Sequence, residues 1–318
     1  MVHSANCSTV PPSVPSDAGV AGAGVLLSFI ITNFLALSLS AYLILRNLRS
    51  PLLSPIPRKL LLSFSDQQLL TGLGIQSVGL AKMNTMVPYH FFIIWMLSLL
   101  ATATHLATLL ALVQDFKRDW VLRWLRQLLM LVSMSLSVVM GVFVLKSVLH
   151  NLPPTLPIAC VWDVPASKGS TSNAGLSIAG TIAVMAASAI LFIISTWYLH
   201  NRNNQKWLKS IQVVGLILLA VMGVGAAVRV VLLSQAFGTP NLRLSDEGEK
   251  VWSFGQLLPL LLLLLPVVSS IELWRGEIRV GREAEEEEDR IPLTGKIGSE
   301  EFKPKDFQPL PLFGGYGK

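Results

Sequence analysis

Ala21–Leu45 reads AGAGVLLSFIITNFLALSLSAYLIL and is followed at once by Arg46 and Arg49. Twenty-five residues without a charge make a helix of about 37 Å, enough to cross a hydrocarbon layer of about 30 Å. The block lacks the basic leader of a secretory signal and is too long for a signal core, so it reads as a retained span. Before it, residues 1–20 are Ser- and Pro-rich and free of Lys and Arg; after it, Arg46, Arg49, Arg58 and Lys59 cluster. Positive charge favours the cytoplasmic side, which places residues 1–20 outside.

Six further blocks repeat the pattern, at about residues 66–81, 89–113, 128–148, 176–199, 211–233 and 252–274. Inside segments hold three or four Lys or Arg each: Lys117, Arg118, Arg123 and Arg126; Arg202, Lys206 and Lys209; Arg275, Arg279 and Arg282. Outside segments hold two or fewer. The expected architecture is therefore an all-α, polytopic transmembrane helix bundle over residues 21–274. It has seven spans, an outside N-terminus and a cytoplasmic tail, residues 275–318, whose acidic run Glu283–Asp289 and Gly/Pro/Lys-rich end suggest disorder. Apolar residues make up 52% of the chain and charged ones 14%, too few charges for a soluble chain of this length. The net charge of +6 is spent on short clusters between spans, not on a basic stripe interleaved with aromatics, so nucleic acid is not the expected partner. The expected partners are the lipid bilayer and a lipophilic small molecule.

The second block is the least apolar. Pro51, Pro55 and Pro57 precede it and predict a loop. Ser65 then reads as an N-cap, with Gln68 completing a capping box and Asp66 in the first turn. Thr71, Gly72, Gly74, Gln76, Ser77 and Gly79 follow, so this span is expected to face other helices.

Within the spans, ionisable groups are scarce. His105 sits among Thr102, Thr104 and Thr108, and intramembrane ionisable residues are functional candidates. Counted from the inner ends of their spans, Gln76 and His105 share a depth of about 12 to 15 Å and are expected to meet. The plainer reading of His105 is a neutral, hydrogen-bonded packing residue. Arg229, near the outer end of span six, either snorkels to the interface or pairs with a buried acceptor or an anionic ligand. Acid chemistry would fall to Asp66 or His105, with Glu272 and Asp115 behind them. No zinc-spaced His/Cys set, phosphate loop, dinucleotide fingerprint or nucleophile elbow occurs, so neither metal nor cofactor is expected.

Cys7 and Cys160 are the two cysteines. Both fall outside on this topology, where they either pair or stay free thiols. Asn6-Cys7-Ser8 is a glycosylation sequon on the correct side of the membrane. An outside sequon and a leader without arginine suit a secretory-route membrane, plasma membrane or endomembrane.

Ser65-Asp66-Gln67-Gln68-Leu69-Leu70-Thr71-Gly72, Tyr89-His90-Phe91, Thr104-His105-Leu106-Ala107-Thr108-Leu109 and Phe254-Gly255-Gln256 resemble the pattern of a group of filamentous-fungal multi-pass membrane proteins of undefined activity. The resemblance covers residues 60–275. It implies a fungal source, a shared fold and a role beside secondary-metabolite pathways, and it points to Asp66, Gln67, Gln68, Tyr89, His90 and His105. Together with Gln76 and Arg229, the residues Gln67, Gln68 and His90 are the ligand-binding candidates. Three readings stay open: a non-enzymatic membrane protein accessory to a metabolite pathway, an integral membrane enzyme such as a terpene or meroterpenoid cyclase, and a seven-helix receptor-like sensor. The last lacks an Asp-Arg-Tyr after span three, where Gln114-Asp115-Phe116 stands, and an Asn-Pro-x-x-Tyr in span seven.

Overall fold

A computed structural model describes residues 5–49, 55–116, 120–165, 174–200, 207–240, 242–272 and 274–276. Its described residues form an all-α bundle with seven principal helices: α1 (Ala23–Arg49), α2 (Pro55–Ala81), α3 (Pro88–Ala111), α4 (Trp120–Leu149), α5 (Ala174–His200), α6 (Leu208–Leu233) and α7 (Phe254–Leu262). After α7 a turn at Leu263 leads into further helical residues, 264–272. Among the described residues, six segments are long and apolar enough to cross a membrane: those of α1, α3, α4, α5, α6 and the stretch Phe254–Gly276. Their outward surfaces carry exposed Phe34, Ile193, Trp197, Val221 and Leu232. So much exposed apolar area suits lipid contact.

Helix α2 departs from expectation. It begins at Pro55, not at Ser65, and runs 27 residues, so that Pro55 and Pro57 are helical where a loop is predicted; Pro51 lies outside the described residues. A proline in the first helical turn lacks only an N–H that has no intrahelical acceptor there, so Pro55 and Pro57 start the helix instead of breaking it. Ser65, Asp66 and Gln68 consequently lie in its interior, and no capping box forms. The polar residues of Ser65–Gln76 leave α2 outside the set of six apolar segments.

Helix α3 is the axis of the bundle. Every residue from Ile93 to Leu110 is buried within the fold, and the helix touches α1, α2, α4, α5 and α6. Its Phe91, Ile94, Trp95, Leu97 and Leu100 enter one core cluster toward its first turn, and Leu106, Leu109 and Leu110 enter two others toward its last. Helix α7 packs chiefly on α1. A Cβ on Gly24 would collide with the Gln256 backbone carbonyl, so glycine permits this approach.

One end of the bundle is laced together by its connections. The Ala23 N–H donates to the Glu249 carbonyl at 3.2 Å, and the Ile158 and Ala159 N–H groups donate to the Met86 and Met83 carbonyls at 2.8 and 3.2 Å. A short 3-10 helix, Ile158–Trp162, lies where the sequence predicts only a polar loop. Cys7 and Cys160 are joined in a disulfide there, Cα atoms 5.5 Å apart, which pins the N-terminal segment to this loop. We call it the disulfide end. Arg275–Lys318 forms a second unit. Residues 277–318, with Arg279, Arg282 and the acidic run, lie outside the described residues, as do Lys117, Arg118, Arg202 and Lys206.

Candidate functional site

Pro88 starts α3 with Val87 at its N-cap, so Tyr89 and His90 emerge in the first turn at the disulfide end. Opposite them, a turn over residues 248–250 folds Glu249 inward until it is fully buried. His90 Nε2 stands 2.8 Å from Glu249 Oε1, and the Tyr89 hydroxyl donates to Oε2 at 2.8 Å. The Gln235 N–H donates to that hydroxyl at 2.8 Å, and the Gln235 side-chain amide to the Asp246 carbonyl at 2.7 Å. A buried carboxylate is costly unless its oxygens are engaged; here both are.

His90 also lines a cavity of about 260 Å³ with Ser16, Asp17, Lys82 and Thr85 and the apolar Val14 and Met86. Lys82 Nζ pairs with Asp17 Oδ2 at 3.1 Å on the rim. The Ser16 N–H donates to Asp246 Oδ1 at 3.2 Å. The Ser16 hydroxyl, and after it the Gly248 N–H, hold the exposed Asp246 carboxyl below the usual carboxylate range. With Nε2 committed to Glu249, His90 Nδ1 has no protein partner among the described residues. In a neutral ring, a carboxylate that takes the N–H of one nitrogen leaves the other as an acceptor; in a charged ring both nitrogens donate. The cavity therefore brings together an oriented imidazole, a cation, a carboxylate and an apolar wall.

The other sequence candidates lie apart from this chamber. Asp66 sits inside α2 and takes both Nε and Nη2 of Arg126, at 2.9 and 2.6 Å. Both its oxygens are engaged as acceptors, which leaves it a structural clamp between α2 and α4. His105 is buried and its Nδ1 faces the Ser65 hydroxyl at 3.4 Å, while Nε2 has no partner. Gln76 and His105 do not meet. The Gln76 amide donates to the Ser133 carbonyl on α4 at 3.3 Å, and Ser65, the residue level with His105, stands eleven positions earlier, about 16 Å along the helix. The expected match in depth fails because α2 begins well before residue 66. Gln67 and Gln68 adjoin a cavity of about 10 Å³, too small for an organic ligand, and the Gln68 amide donates to the Phe29 carbonyl at 3.4 Å. Arg229 is exposed on α6 beside a separate cavity of about 190 Å³. Glu272 is exposed, and the Asp115 side chain lies outside the described residues. Asn6 is exposed, its side-chain oxygen accepting from the Ser8 N–H at 3.1 Å.

Sequence reasoning missed Glu249. In the sequence it stands in a charged turn beside Asp246 and Glu247, and nothing local distinguishes the one carboxylate that turns inward. Among the described residues no group of three or more His, Cys, Asp or Glu converges as for a metal ion. No protein-family model, curated protein or solved structure matches the chain.

Proposed function

We propose that the chain is an integral membrane protein of seven crossings, with its disulfide end outside and residues 275–318 in the cytoplasm, and that it binds a small lipophilic molecule in the chamber beside His90. The observation that carries this reading is the Glu249–His90–Tyr89 network at the wall of a cavity of about 260 Å³. A buried carboxylate dedicated to orienting one imidazole at a cavity is a costly arrangement for packing alone. The charge asymmetry between successive connections supports the orientation, and six apolar segments support the membrane setting. The burial of Ser65, Gln68 and Gln76 of α2, a helix in contact with α1, α3 and α4, supports its crossing as the seventh. On the resemblance given above, the role is accessory to a secondary-metabolite pathway in a secretory-route membrane.

The test is an untargeted lipid-extract comparison between a strain lacking the protein and its parent, with complementation by His90→Ala or Asp66→Asn. The reading expects Asp66→Asn to restore the parental profile and His90→Ala to fail at equal protein level. The reverse outcome would move the site to α2. A second reading is favoured by the unpartnered Nδ1 of His90: a membrane enzyme in which His90, oriented by Glu249, carries a proton to or from substrate. Accumulation of an uncyclised precursor in the His90→Ala strain would select it. The orientation is tested separately, by engineered glycosylation sites in segments 166–173 and 201–206: only the first is expected to be modified.

A further inference from the structure

Helices α3, α5 and α6 leave a second cavity, of about 190 Å³, that has no part in the chamber beside His90. Its wall is apolar and small-residue, from Trp95 and Met96 on α3 through Thr181 and Val184 on α5 to Gly225 on α6. One lining residue is charged: Arg229. No carboxylate pairs with Arg229 among the described residues, although charged groups on membrane helices ordinarily have a partner. The cavity follows one face of α6 from Val221 to Arg229, a length of about 12 Å.

We infer that this cavity is a binding site for a single-chain lipophilic carboxylic acid, with the carboxylate on Arg229 and the chain between α3, α5 and α6. Depth selects this occupant. Helix α6 has 26 residues, about 39 Å, and overhangs a hydrocarbon layer of about 30 Å by some 4 to 5 Å at each end when centred. Arg229 lies four residues before Leu233, about 6 Å from the helix end, and so stands at the edge of the hydrocarbon. A fatty-acid-type carboxylate is attached directly to its chain and reaches that level with the chain already in the cavity. A phospholipid phosphate is held farther out by its glycerol. The guanidinium fork matches a carboxylate with two parallel hydrogen bonds, and the wall offers no acidic group to repel it.

The experiment uses the full chain in nanodiscs of neutral phosphatidylcholine, with a diazirine-bearing palmitic acid as probe and a diazirine phosphatidylglycerol in a parallel arm. Photolabelling by the fatty acid is expected on the Trp95–Leu99 and Val221–Arg229 segments, falling about tenfold or more in Arg229→Gln and less in Arg229→Lys. Gly225→Leu supplies a second variant with the charge intact: a Cβ at Gly225 meets nothing within 4 Å, so the side chain enters the cavity without disturbing the helix. It is expected to abolish labelling at unchanged thermal stability. Equal labelling of wild type, Arg229→Gln and Gly225→Leu would overturn the inference. So would labelling by phosphatidylglycerol that excess palmitic acid does not displace, which would assign the site to a lipid headgroup.

Discussion

His90 and Glu249 are 159 positions apart in the chain, yet their side chains meet at 2.8 Å with 5% and 0% of their surface exposed. The contact joins the first turn of α3 to the connection between α6 and α7. Removing one member of a buried pair leaves the other unsatisfied, which costs about 3 to 5 kcal/mol. Glu249→Ala and His90→Ala are each expected to lower the thermal midpoint in detergent strongly. The double variant is expected to lose less than their sum, with a coupling of about 1 to 3 kcal/mol. Simple additivity would mean that the two side chains act independently.

The Asp66–Arg126 pair is bidentate, but its side chains are 40% and 20% exposed. Exposed pairs contribute little, about 1 kcal/mol or less. Asp66→Asn is expected to shift thermal stability only slightly, and the charge swap Asp66→Arg with Arg126→Asp to recover most of the loss. A large irreversible loss on Asp66→Asn would indicate a role beyond this clamp.

The disulfide closes a loop across a sequence separation of 153 residues. Reduction, or Cys7→Ser, is expected to lower stability by about 2 to 5 kcal/mol and to free residues 5–16 for proteolysis. Thiol counting after denaturation with and without reductant checks the bond itself: two thiols are expected only with reductant.

Gly223 and Gly225 differ although both lie on α6. A Cβ at Gly223 would stand 2.6 Å from Asn33 Oδ1, whereas one at Gly225 meets nothing within 4 Å. Asn33 is fixed by donating to the Leu100 carbonyl at 2.9 Å and to the Thr104 hydroxyl at 3.1 Å, so it cannot yield freely. Gly223→Val is expected to cost about 1 to 3 kcal/mol through overpacking, and Gly225→Ala to be neutral in the same thermal assay.

Acid is expected to loosen the N-terminal segment at Ser16. The Asp246 carboxyl is held below its ordinary range in the folded chain. Its contribution is therefore complete above the unfolded Asp value of about 3.9 and is lost as pH falls through the lower folded value. The protection factors of the Val14, Ser16 and Asp17 amides, with the intrinsic pH dependence of exchange divided out, are expected to fall in that window, and Asp246→Asn to remove this acid dependence. Protection factors that do not vary with pH in the wild type would refute the link.

The bundle was largely legible because apolar blocks of bilayer length leave few alternatives. Helices α1, α5 and α6 end within a few residues of their predicted bounds. The start of α2 was not legible: Pro55 and Pro57 carry the same letters whether they open a helix or interrupt a loop, and packing decides. That error displaced Gln76 relative to His105. His90 was named through a resemblance, but its partner was hidden, since the inward turn of Glu249 depends on Tyr89 and Gln235 from elements far away in sequence.

The burial of α3 from Ile93 to Leu110 has a consequence for biogenesis. Of the six apolar segments it has the lowest mean hydropathy, 1.8, and it buries the ionisable His105, whose Nδ1 faces Ser65 on α2. Lipid is a poor lodging for such a group, yet α6, which covers the helix on one side, is synthesised about a hundred residues later. On the topology proposed above, α3 is therefore expected to remain beside the translocation machinery until the rest of its casing has been made.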